Sequence, residues 1–77
     1  MSGRPSKRSL TLKGHRTSVS LEDEFWFEFR RISDYKNMPI NALAAEIDVD
    51  RTEDIGLASA IRLYVLGAIK AERDAKK

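Results

Sequence analysis

"HRTSVSL", residues 15–21, alternates polar and apolar side chains with the two-residue period of a half-buried β-strand. The stretch that follows, "EDEFWFEFRRIS" from residue 22, loses that period and takes up a helical one, and the rest of the chain also reads as helix. A lone strand has backbone N–H and C=O groups that need partners. In a chain this short, the reading of residues 15–21 therefore decides the fold.

Three helices are expected downstream. Phe25, Phe29 and Ile32 recur at i, i+4, i+7 in helix A, from Glu22 to about Lys36, with Glu22, Asp23 and Glu24 at the end where the macrodipole favours negative charge. Ser20 and Asp23 loosely resemble a capping box, and Asn37 suits a left-handed C-terminal cap. Trp26 flanks the apolar stripe and Phe27 lies opposite it. After "NMPI", Asn41 is a good N-cap for a short helix B ending near Ile47, with Leu43, Ala44 and Ile47 on one side. The polar run "DVDRTED" breaks the pattern, and Thr52 or Asp54 is placed to cap helix C, from about Ile55 to Arg73.

Helix C contains "AIRLYVLGAI", whose apolar residues go most of the way round the helical wheel. Such a helix must be buried on nearly all sides, which helices A and B alone cannot achieve. At 77 residues the chain is one domain at most, and its own core would be marginal. A two-fold homodimer answers both difficulties: strand pairs antiparallel with its copy, and a second chain covers helix C. The expected fold is mainly α with one short strand. Its dimer core would consist of Val19, Leu21, Phe25, Phe29, Ile32, Ile61, Val65 and Ile69. Thr17, Val19 and Leu21 would face the helices, leaving Arg16, Ser18 and Ser20 to project from the opposite face. Such a ribbon fits the major groove of B-DNA, where Arg takes both acceptors of guanine and Ser donates or accepts at several base edges.

Charge points the same way. The formal net charge is +2, yet residues 1–16 carry +5 and no acid, while the remainder sums to −3. Residues 1–14, with Gly3, Pro5 and several hydroxyl side chains, read as a flexible basic arm. Arg4, Lys7, Arg8 and Lys13, with His15 beside the strand, would contact DNA phosphates. Gly14 is a place where a bulge resets the register between Leu10, Leu12 and the strand. Residues 15–73 form the domain and 74–77 a charged tail.

Other classes find little support. Cysteine is absent and His15 is the one histidine, so thiolate metal sites and a histidine cluster are excluded, and no metal or cofactor is expected. No nucleophile-and-orienter arrangement surrounds His15, so no enzyme is expected. Glu22, Asp23, Glu24 and Glu28 read as dipole compensation rather than metal ligands. No apolar run approaches the roughly 20 residues of a membrane span and the N-terminus lacks a signal-peptide core, so a soluble, cytoplasmic protein is expected.

The order of basic arm, strand "RTSVSL", helix "EDEFWFEFRRISDYK", turn "NMPIN" and further helices resembles the ribbon-helix-helix DNA-binding proteins, specifically a small bacterial branch with an extended helical second half, over residues 15–69. The resemblance implies an intertwined homodimer with an intermolecular two-stranded antiparallel ribbon, acting on double-stranded DNA as a transcriptional repressor. It makes Arg16, Ser18 and Ser20 the base contacts, and Asn41 with the amides of Ala42 and Leu43 the phosphate anchor, as helix-terminus physics also allows. The interrupted second half leaves "GLASAIRLYVL" as the other counterpart of the family's second helix, which moves the phosphate contact towards Gly56; the spacing from helix A favours Asn41. The alternative is an antitoxin-like dimer that docks a partner protein through Phe27 or an apolar rim of helix C.

Overall fold

The computed structural model describes residues 3–76; the arm's first two residues and Lys77 of the tail lie outside the described residues. Strand β1 (Ser6–Leu12) and strand β2 (His15–Leu21) are followed by helices α1 (Asp23–Tyr35), α2 (Ile40–Asp50) and α3 (Leu57–Ala75). The strand of residues 15–21 is where the alternation placed it. One of its edges pairs with the chain's own residues 6–12, which were expected to be a mobile arm.

The reason lies in two residues. Lys13 (φ 51°) and Gly14 (φ 82°) both take positive φ, the signature of the type I′ turn whose twist matches that of paired strands. Gly14 thus reverses the chain instead of bulging it. The antiparallel register runs from Leu12 opposite His15 to Ser6 opposite Leu21. Opposite residues share a face, so Leu10 and Leu12 join Thr17, Val19 and Leu21 on the helix side. An unbroken strand would have put both leucines on the other face. A Cβ at Gly14 would meet nothing within 4 Å, so Gly14→Ala carries a backbone penalty alone. It is expected to cost about 1–2 kcal/mol, read as a lowered urea midpoint at unchanged m-value.

The hairpin lies over the helices, with α2 packed against β1 and α3 against β2, while α1 contacts both other helices. Leu10, Val19, Leu21, Phe29, Ile32, Leu43, Ala44, Ile47, Ala60, Ile61 and Val65 form one core. Six residues expected in a dimer core, Val19, Leu21, Phe29, Ile32, Ile61 and Val65, are therefore buried within a single chain. Phe25 is only partly buried and Ile69 is exposed. The hairpin covers part of α3, while Leu63, Leu66 and Ile69 stay exposed.

Cap details differ from expectation except at one end. Asn37 (φ 55°) ends α1 in a Schellman motif, with the Met38 amide donating to the Ser33 carbonyl (2.9 Å) and the Asn37 amide to that of Asp34 (3.0 Å). The N-caps are Glu22, Pro39 and Gly56, none with a side-chain cap hydrogen bond, so neither Ser20, Asn41, Thr52 nor Asp54 caps a helix. The Thr52 hydroxyl donates instead to the Asp54 carboxylate, which lowers the pKa of Asp54. Helix α2 continues to Asp50, through the first half of the polar run, and α3 extends into the charged tail.

Candidate nucleic-acid interface

On the hairpin face turned away from the helices, register and alternation place two rows: Lys7, Ser9 and Thr11 on β1, opposite Ser20, Ser18 and Arg16 on β2. All six side chains are exposed. No acidic residue occurs anywhere in residues 1–21, so this face presents two cations and four hydroxyls and no carboxylate. Such a surface suits a polyanion and the acceptors of base edges. Lys13 and His15, both exposed, lie at the turn end of the same hairpin.

Arg8 departs from its expected role as a phosphate contact. It sits opposite Val19 on the helix side, where its guanidinium stacks 5.3 Å from the Trp26 ring centroid and pairs with the Asp23 carboxylate. Its Nε is buried without a hydrogen-bond partner. Arg8 ties the hairpin to the start of α1 and is withdrawn from the surface. Thr17, on the helix side by register, stays exposed, because it lines a shallow cavity of about 340 Å³ between the turn and α2.

The N-terminus of α2 comes up beside β1. Asn41 Oδ1 accepts a hydrogen bond (3.0 Å) from the Thr11 amide, which points away from β2, so the side chain of the expected anchor residue secures the hairpin edge. The Leu43 amide, expected to be free for phosphate, donates to the Pro39 carbonyl (3.1 Å), and its side chain is buried. The first-turn amides left for an anion are those of Ile40, Asn41 and Ala42, one residue earlier than expected for most of the set. Gly56, the other candidate, precedes α3 on the far side of the loop after α2.

The outer edge of β2 is open along Arg16 and Ser18. In a two-residue hairpin Leu12 and His15 form the hydrogen-bonded pair nearest the turn, so the backbone groups of Arg16, Ser18 and Ser20 point outward. Those of Arg16 and Ser18 have no partner among the described residues. At Ser20 the carbonyl accepts from Arg62 Nη2 (3.1 Å). Arg62 Nε also donates to Glu22 Oε1 (2.9 Å), and its guanidinium stands over the Phe25 ring. That hydrogen bond from Arg62 is the main reason the Glu22 pKa is lowered. One and two turns along α3 from Arg62 come the exposed Leu66 and Ile69, so an apolar ridge adjoins the open strand edge.

The family model for the ribbon-helix-helix domain matches residues 5–69 of the chain. The chain belongs to that family. Ribbon-helix-helix proteins as a family are dimer-forming, DNA-binding transcription regulators and are typically not enzymes. The match begins at residue 5 and so takes in β1, where residue-by-residue resemblance reached back only to residue 15. No curated protein and no solved structure gave a match. Within this ribbon-helix-helix domain, Ser9 and Thr11 are the surface residues that sequence reasoning missed. The signal was available in "KRSLTL", residues 7–12, an alternating run separated from "HRTSVSL" by Lys-Gly. No helix among the described residues is long and apolar enough to cross a membrane, and no group of three His, Asp or Glu side chains among them is placed to hold a metal ion.

Proposed function

We propose that this protein is a cytoplasmic, sequence-specific DNA-binding repressor that acts as a homodimer, with Arg16, Ser18 and Ser20 reading bases in the major groove. The observation that carries this reading is the acid-free outward face of the hairpin in a chain of the ribbon-helix-helix family. Arg4, Lys13 and His15 add phosphate affinity around that face, as do the first-turn amides of α2 around Ala42. Repression is steric: dimers bound at a short palindromic site exclude polymerase.

Two features support the homodimer. The open edge of β2 and the adjoining Leu66 and Ile69 offer backbone pairing and apolar burial side by side. Two-fold pairing centred on Ser18 aligns Arg16 of each chain with Ser20 of the other and brings both reading rows together.

A second reading, docking of a partner protein in the manner of an antitoxin, draws on the apolar cavity of about 550 Å³ between α1 and α3, lined by Ile32, Tyr35, Leu63, Tyr64 and Gly67 among others. One experiment separates the two: selection of bound fragments from random and genomic DNA, with a mass measurement of the free and DNA-bound protein. Enrichment of a short symmetric motif by a dimer is the expected result. Absence of enrichment, with a stoichiometric protein copurifying, would favour the second reading.

A further inference from the structure

We propose that β1 is a phosphate-gripping flank of the DNA-binding sheet, with Lys7, Ser9 and Thr11 holding the walls of the groove whose floor the β2 residues read. This rests on the DNA-binding reading above and adds to it a second row of contacts from each chain. The register sets Lys7, Ser9 and Thr11 on the same outward face as Arg16, Ser18 and Ser20. The Lys7 ammonium and the Ser9 and Thr11 hydroxyls have no hydrogen-bond or ion-pair partner among the described residues.

Width decides which row reads and which grips. Joining two β2 edges gives a four-stranded sheet in the order β1-β2-β2-β1, whose outer strands are about 14 Å apart. The major groove is about 12 Å wide. Both pairs cannot lie on its floor. The central β2 strands enter, and each β1 comes to rest over a sugar-phosphate wall. Ammonium and hydroxyl groups are the donors suited to phosphate oxygens, and contacts of this kind set register without reading sequence.

The placement of α2 agrees independently. Its N-terminus, with the Ile40, Asn41 and Ala42 amides, is fastened to the β1 edge through Asn41 and Thr11, not to β2. The helix dipole and the β1 row therefore lie on the same flank, with the reading strand on the inner side of both. Arg8, between Lys7 and Ser9, is turned under the sheet onto Trp26, so the outward row carries Lys7 as its cation.

The test uses the full chain, with double-stranded DNA recovered by selection and a random duplex of equal length, titrated between about 50 and 200 mM salt. Lys7→Ala is expected to weaken binding to both duplexes by the same factor and to reduce the salt slope by about 2 for a dimer, one per lysine. Ser9→Ala and Thr11→Val, which remove uncharged donors, are expected to weaken both duplexes equally and leave the slope unchanged. A Lys7→Ala variant that alters the ratio between selected and random DNA would make β1 a base reader and overturn the assignment, as would one that changes neither affinity nor slope. Arg16→Ala measured alongside separates the two levels. If it also changes nothing, the DNA-reading face itself is wrong; if it loses discrimination while Lys7→Ala is silent, only the role of β1 fails.

Discussion

A chain beginning at residue 14 is expected to be unfolded. The truncation takes away Leu10, which is 2% exposed in the core, together with the partly buried Leu12 that packs against it. Loss of one such leucine side chain typically costs 2–5 kcal/mol. The truncation also removes the Arg8 contacts to Trp26 and Asp23, and leaves the inner edge of β2 without its hydrogen-bonding partner. A domain of this size has a total stability of about 4–12 kcal/mol, which these losses together exceed or match. Circular dichroism should show loss of the cooperative thermal transition. A truncated chain that still melts cooperatively at the original temperature would mean that β2 finds its partner in another chain. Leu10→Ala is the milder form of the same experiment, expected to lower stability by about 2–5 kcal/mol while the chain stays folded enough to measure.

Arg16→Ala is expected to have the largest effect on specificity. Arg16 is exposed, stands on the outward face opposite Thr11, and makes no ion pair among the described residues, so its loss disturbs neither core nor turn. A bidentate arginine contact to guanine is worth about 1–3 kcal/mol of discrimination, or roughly 5- to 150-fold in the ratio of selected to random DNA. The thermal midpoint should not move. Unchanged discrimination at unchanged stability would remove Arg16 from the reading face.

What was legible in the sequence follows from how local each signal is. The alternation of residues 15–21 and the i, i+4, i+7 spacing of Phe25, Phe29 and Ile32 depend on near neighbours, and both elements lie where those patterns put them. The Asn37 cap was readable for the same reason. The hairpin was harder, because its turn is Lys-Gly rather than the Asn-Gly or Asp-Gly that marks type I′ turns, and because the cations of residues 4–13 resemble a disordered tail. Missing that turn left Leu10 and Leu12 outside the expected core. It also made a second chain seem necessary to bury Val19, Leu21, Ile61 and Val65. Asn41 was misjudged as a helix cap because its oxygen bonds to a residue 30 positions away, which no local pattern reveals. The same holds for Arg8, whose pairing with Asp23 depends on the hairpin register.

The bridge that Arg62 makes between the Ser20 carbonyl and Glu22 joins the last helix to the strand proposed to face DNA. A molecule seated on the ridge beyond Arg62 would meet that bridge, and through it the backbone of Ser20. If Ser20 reads DNA as proposed, a ligand on α3 that shifts this bridge would change affinity for the operator, and operator binding would change affinity for that ligand by the same factor.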